Sequence, residues 1–247
     1  MSKQNIFDNS DFFDGYKSIR ENPVNENNLF EVPSLMSMLP DLTGMEILDL
    51  GCGFGEHCIK YVEMGAKSVV GIDISSKMLE VAMAENSLPE IDYICMPMED
   101  LELLGRQFDV VISSLAMHYV KDFRAVVQNI HSILRQGGFF VFSQEHPICT
   151  CYPKNHARWT KDLSGNKMFY NLSGYGLEGE RVTTWVVDGV IKYHRMFSTI
   201  VNTLCESGFV IQKVEEPMPS EQVLKDYPQY GDLLFKPNFL LIKAVRN

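Results

Sequence analysis

Positive charge is scarce in this 247-residue chain: 22 Lys and Arg stand against 32 Asp and Glu, a formal net charge of −10 at pH 7. A broad polyanion-binding surface is therefore not expected, although a local basic groove would not register in the total. No apolar run reaches the roughly 18 residues that a membrane helix needs. The N-terminus, MSKQNIFDNSDFFDG, lacks the apolar core of a signal peptide. The expectation is a soluble cytoplasmic protein with neither a nucleic-acid nor a membrane partner. The six cysteines (Cys52, Cys58, Cys95, Cys149, Cys151 and Cys205) contain no C-x-x-C pair, and Cys149-x-Cys151 is their only local cluster. Two soft ligands without nearby partners fall short of the three or four that a zinc site needs, so no metal is expected.

Internal repeats and low-complexity runs are also missing. What is present is ordinary globular composition, 45% hydrophobic and 22% charged, at a length that suits one α/β domain with an insertion. The first forty residues read as polar and irregular, broken by Pro23, Pro33 and Pro40. From Met45, short apolar runs alternate with segments of helical period, the signature of a parallel sheet. The pattern predicts strands at 46–50, 68–73, 91–95, 108–112 and 138–144, with helices near 56–65, 76–86 and 122–135. Asp122 can cap the last helix and Gly137-Gly138 can end it. The alternation then stops for about fifty residues. It resumes with a helix near 194–207, stopped by Gly208, and strands near 209–215 and 238–245, the last expected to run antiparallel.

The sharpest signal is ILDLGCGFGEH at 47–57, where an apolar strand runs into three alternating glycines and then a helix. Glycine at Gly51, Gly53 and Gly55 lets the backbone turn tightly and pass close to a ligand. Asp73 follows the next apolar run, SVVGID, where a carboxylate can accept both hydroxyls of a ribose. A tight turn beside an unrelated acid is the alternative, and the ordered strand, turn, helix, strand and acid weigh against it. A dinucleotide fingerprint would place its third glycine where Glu56 stands. Asp49 and Glu56 make the turn acidic, a setting that suits a ligand with an amine and a sulfonium better than a diphosphate.

The runs LDLGCGFG, GIDIS, MEDL at 98–101, FDVVISSLAMHYV and ILRQGGFFVFS closely resemble the class I S-adenosylmethionine-dependent methyltransferases, and within them the type 11 branch, which includes enzymes of quinone biosynthesis. The likeness covers roughly residues 45–145. It implies a Rossmann-like, seven-stranded, mostly parallel sheet with an antiparallel last strand and helices on both faces. It also implies S-adenosyl-L-methionine as cofactor and S-adenosyl-L-homocysteine as product. Carried over by position, Gly51, Cys52, Gly53, Phe54 and Gly55 would lie along the methionine moiety, with Asp49 helping to hold its amine. Asp73 would take the ribose hydroxyls, with Ile74 and Met78 packing beside the adenine. Met98 and Glu99 would line the adenine edge, and Ser114 and Leu115 would face the methyl end. Tyr16 and Arg20 would close over the cofactor as part of a lid. The type 11 pattern often has an Asp where this chain has Pro97, which removes one side-chain acceptor for the adenine amine.

Methyl transfer from a sulfonium needs an aligned, desolvated nucleophile and, for some acceptors, a base. His118, just past the fourth strand, and Glu145 with His146, just past the fifth, are the candidates, with a structural histidine as the alternative for His118. The interrupting segment 146–195 is the expected substrate cap. It holds Trp159 and Trp185, with Phe169, Tyr170, Tyr175 and Tyr193, and seven basic residues (Lys154, Arg158, Lys161, Lys167, Arg181, Lys192, Arg195) against four acidic ones. That balance points to an anionic or aromatic small-molecule substrate; an extra structural hairpin is the plainer reading. No D/N-P-P-Y/F run follows the fourth strand, which counts against planar nitrogens of nucleic acid or protein as acceptors.

The organisation read from the sequence is a single domain: a lid segment at 1–44, a cofactor-binding core at 45–145, the cap at 146–195, and a C-terminal helix with strands at 196–247. It would act as a monomer or homodimer. The expected activity is in-line methyl transfer to an O, N or C nucleophile of a small molecule. The alternatives are a non-catalytic S-adenosylmethionine-binding protein or a nicotinamide-dependent oxidoreductase.

Overall fold

The structure is a computed structural model and describes residues 5–153 and 157–247. Five strands come first in the sheet: β1 (Glu46–Leu50), β2 (Ser68–Asp73), β3 (Ile91–Cys95), β4 (Phe108–Ser113) and β5 (Leu134–Glu145). The chain then leaves the sheet for two antiparallel hairpins, β6 (Trp159–Lys161) with β7 (Lys167–Tyr170) and β8 (Gly179–Trp185) with β9 (Val187–His194). The expected long irregular stretch is thus largely hairpin. Lys154, counted among its basic residues, lies outside the described residues. Strands β10 (Phe209–Glu215) and β11 (Phe239–Arg246) complete a seven-stranded sheet in the order β10-β11-β5-β4-β1-β2-β3. Six strands run parallel, and β11 is antiparallel between β5 and β10, as the sequence implied.

Of the first forty residues, those described, 5–40, are mostly helical rather than irregular. Helix α1 (Ser10–Glu21) starts where the Asn9 side chain accepts the Phe12 N–H at 3.0 Å. A π-helical turn, Asn27–Glu31, runs directly into α2 (Val32–Met38). Pro33 sits in the first turn of α2, where no N–H is required, so it begins a helix instead of breaking one. Helices α3 (Glu56–Glu63), α4 (Ser76–Glu85) and α5 (Phe123–Ile133) alternate with the strands. Ser75 Oγ caps α4 and Asp122 caps α5, accepting the Met78 and Ala125 N–H groups at 3.1 and 3.0 Å. Helix α5 ends at Ile133, before Arg135, because Leu134 turns extended and pairs with Phe108. Gly137 therefore bends β5 and does not stop the helix.

A short helix, α6 (Pro147–Thr150), follows β5. Helix α7 (Phe197–Glu206) starts later than the pattern predicts because His194 still pairs with Gly179 in the hairpin. A further helix, α8 (Glu221–Asp226), lies in the β10–β11 connection, where the sequence pattern placed none. Alternate residues of each strand supply the two faces of the core. Ile47, Val110 and Val141 pack with Leu35, Met38, Cys58 and Tyr61 on one side. Leu48, Val111 and Phe140 pack with Val126, Val127, Ile130, Ile200 and Leu204 on the other. The carboxyl ends of the parallel strands share one edge, where ligands of open α/β sheets bind. Among the described residues no helix is long and apolar enough to cross a membrane.

Candidate functional site

At the end of β1 the backbone takes left-handed steps at Gly51 (φ 71), Gly53 (φ 55) and Gly55 (φ 77). Any side chain at Gly51 would meet Ala116 Cβ at 2.6 Å, so the turn and the loop after β4 approach as closely as backbone allows. The N–H of Gly53 donates to Asp73 Oδ2 at 2.9 Å, and the N–H of Ser75 donates to Asp73 Oδ1 at 2.8 Å. Asp73 is thereby fixed at the carboxyl end of β2, and burial raises its pKa despite those two donors.

A cavity of about 910 Å³ opens above this floor. Gly51, Gly53, Asp73, Ile74 and Met78 line it, together with Pro97, Met98, Glu99, Ser114 and Leu115. Tyr16 and Arg20 of α1 line it from above. Leu115 holds a left-handed backbone (φ 52), with its N–H donating to the Ser143 carbonyl at 3.1 Å and to Ser143 Oγ at 2.9 Å. Such a conformation costs a non-glycine residue about 1–3 kcal/mol and gathers at functional sites.

Other residues expected at the cofactor stand behind the lining. Asp49 is buried beneath the turn, and its Oδ2 lies 3.5 Å from Cys58 Sγ. Burial, with the charges of Asp73 and Glu31 adding to it, raises the Asp49 pKa to about 7. Phe54 packs its ring on Phe13 and Tyr16, at 5.7 and 5.9 Å. Gly55 is pressed against Tyr93, and Cys52 lies against Gly71. These three shape the turn from outside the cavity.

Glu31 is the residue the sequence reading missed. It ends the π-helical turn, is fully buried, and accepts hydrogen bonds from Ser114 Oγ at 2.9 Å and from Ser143 Oγ. Among the described residues its Oε2 is buried without a hydrogen-bond partner, and burial raises its pKa. A π-turn is a frequent mark of a functional site. The signal was there, an acid inside the apolar stretch LFEVPSLM.

The roof joins two distant segments. Trp185, at the end of β8, packs on Phe12 and Tyr16 of α1 with ring centroids 5.4 and 5.8 Å apart. Arg20 forms an ion pair with Glu56 at the start of α3. Glu56 is therefore already partnered, and the other acids here, Asp49, Asp73 and Glu31, are buried with raised pKa values.

His118, Tyr119, Glu145, Trp185 and Tyr193 line the same cavity. His118 Nδ1 accepts the Glu145 N–H at 3.4 Å, and burial pushes its pKa down to about 4, so the ring is neutral near pH 7 with its proton on Nε2. Burial works to raise the Glu145 carboxyl. The neighbouring His118 and the Lys192 ammonium, 2.5 Å away, outweigh it and hold the pKa below its ordinary value. His146 is not brought to the cavity. Its Nδ1 accepts the Ile148 N–H at 3.1 Å as the cap of α6, and its Nε2 lies 2.8 Å from Glu216 Oε1.

Residues 48–142 match the family model of a methyltransferase domain. An uncharacterized protein of Haemophilus influenzae is 39% identical over 251 residues, 98% of this chain and 97% of that one. The crystal structure of an S-adenosylmethionine-dependent methyltransferase from Mesorhizobium loti is 39% identical, with a TM-score of 0.79 over 87% of this chain and 97% of that chain. The chain belongs to the class I S-adenosylmethionine-dependent methyltransferases. The likeness to a ubiquinone biosynthesis O-methyltransferase of Neisseria meningitidis is narrower, 36% over 107 residues, covering 42% of this chain and 45% of that one.

S-adenosylmethionine is accordingly the cofactor of this methyltransferase, and the nicotinamide and binding-only alternatives fall. Its residues fit that molecule. The Gly51–Gly53 backbone leaves a cradle that a Cβ at Gly51 would close, and Asp73 offers a fixed carboxylate. The three buried acids Asp49, Asp73 and Glu31 suit a ligand carrying positive charge.

Proposed function

We propose that this methyltransferase acts on a small molecule enclosed between the sheet edge and the β8–β9 hairpin. The supporting observation is one continuous cavity of about 910 Å³ that joins Gly51, Gly53 and Asp73 to His118, Glu145 and Trp185. Ligand sites typically span about 300–1,000 Å³, so this one suits a cofactor together with a modest acceptor. In this reading residues 1–44 form a lid, 45–145 hold the cofactor, 146–195 cap the acceptor, and 196–247 complete the sheet.

Asp73 would hold the ribose and the Gly51–Gly53 backbone the methionine part, with Asp49 beneath the turn, and Ile74, Met78, Met98 and Glu99 would surround the adenine. Ser114 and Leu115 sit beside the transferred methyl, while Tyr16 and Arg20 cover it. The bound cofactor supplies a methyl group on a good leaving group. The protein aligns and desolvates the O, N or C nucleophile. Glu145, kept ionised by Lys192, takes the proton from an acidic nucleophile at its carboxylate. His118 presents Nε2–H as a hydrogen-bond donor and orients the acceptor.

The test is transfer of radiolabelled methyl from S-adenosylmethionine into a cell extract divided by ultrafiltration. Label is expected in the low-mass fraction; label confined to protein or RNA overturns the reading. Asp73→Ala should weaken S-adenosylhomocysteine binding by about 1–3 kcal/mol in calorimetry, the cost of losing hydrogen bonds to a charged group. Glu145→Gln should instead lower kcat at least tenfold with that affinity unchanged.

A further inference from the structure

A second chamber of about 270 Å³ lies beside the large cavity, and Glu26, Glu145, Trp185 and Phe239 line both. Its walls carry Arg158, Arg181, Lys192 and Lys236 against the two acids Glu26 and Glu145. An excess of positive charge in one small chamber is notable in a chain of net charge −10. Lys236 comes from the connection before β11, so the charge is gathered from separate parts of the fold.

Both acids are already engaged. Glu145 pairs with Lys192 at 2.5 Å, and Glu26 accepts from Asn238 Nδ2 at 2.5 Å. Among the described residues Lys192 is the one of the four cations with a carboxylate at ion-pair distance. Arg181 is buried and directs its guanidinium at the carbonyls of Cys151, Leu177, Gly179 and Glu180, which fixes the group without cancelling its charge. Arg158 lies over the Tyr152 ring at 5.0 Å, and Lys236 stands 5.3 Å from the Tyr170 ring. The Lys236 ammonium also donates to Asn238 Oδ1 and, at 3.3 Å, to Cys149 Sγ. Aromatic faces and neutral acceptors hold these two cations in place. Their charge is left for an anion.

We propose that the second chamber binds an oxyanion of the methyl acceptor, a carboxylate or a phosphate, through Arg158 and Lys236. Trp185 and Phe239 line both chambers, so the acceptor has a flat apolar body between that anion and its nucleophile beside His118 and Glu145. The proposal rests on the small-molecule reading above and narrows it to anionic acceptors.

The test titrates benzoate, phenyl phosphate and benzamide into enzyme saturated with S-adenosylhomocysteine, followed by calorimetry. At least one anion should bind ten times more tightly than benzamide, weakening as salt rises, and the tighter of the two identifies carboxylate or phosphate. An Arg158→Ala/Lys236→Ala double variant should lose at least tenfold in anion affinity while keeping its affinity for S-adenosylhomocysteine. Equal binding of benzamide, no binding of either anion at millimolar concentration, or an unaffected double variant would each overturn the proposal. Anion binding with label found in macromolecules would remove the small-molecule reading and leave the chamber. Methylated neutral small molecules without anion binding would do the reverse.

Discussion

At one end of the large cavity, Gly51, Gly53 and Asp73 act through backbone conformation and strand-end position within a short stretch of chain. Elsewhere in its lining, His118, Glu145 and Trp185 act through side chains drawn from three separate segments. The first arrangement tolerates little substitution, because few residues can adopt its geometry. The second can be re-lined one side chain at a time while the sheet stays intact. One fold can thus keep its cofactor and change its acceptor.

The contrast is most sharply broken at Gly51. Gly51→Ala places a methyl 2.6 Å from Ala116 Cβ in a left-handed backbone, and should cost about 2–4 kcal/mol in stability. S-adenosylhomocysteine binding should also fall at least tenfold in calorimetry. Normal binding and an unchanged Tm would show that the turn is as forgiving as the acceptor end.

A smaller effect is expected from Asp49. Its folded pKa, about 7, lies above the ordinary 3.8, so the folded state binds the proton more tightly. The stability gained from this is fully present below the ordinary value and is lost as pH rises through about 7. Asp49→Asn should flatten the fall in Tm between roughly pH 4 and 7. Asp73 and Glu31 shift in the same direction, so some slope should remain. An unaltered slope would place the titration elsewhere.

The smallest effect belongs to His146. As the cap of α6 and partner of Glu216 it should cost about 1 kcal/mol when replaced by Ala. That corresponds to a Tm roughly 2–4 °C lower, with turnover reduced by no more than a factor of about three, since His146 itself does not line the cavity. A tenfold loss of turnover at unchanged Tm would return His146 to the acceptor end.

The same division explains what could be read in advance. Strands β1 to β4 were legible because each is a short apolar run bounded by a turn, and Gly51 with Asp73 because position along a strand fixes where they must lie. The N-terminal helices were not, since Pro33 reads equally well as a breaker or as a first-turn residue. His118, Glu145 and His146 were candidates by their place after β4 and β5. Only hydrogen bonding separates the histidine that reaches the cavity from the one that caps a helix. Glu31, Lys236 and Phe239 reach the two cavities or their walls only through the tertiary fold, and no local spacing announces such a position.

Strand β11 is later in the chain than every other strand, yet it occupies an interior place between β5 and β10. During synthesis, β5 therefore presents a long apolar edge, including Phe140 and Phe142, until the chain has been made past residue 245. An unpaired edge of that kind is a template for association with other chains. Loss of the last strand by proteolysis or a premature stop would leave that edge open and send the protein toward aggregation, well before the chemistry of the site came into question.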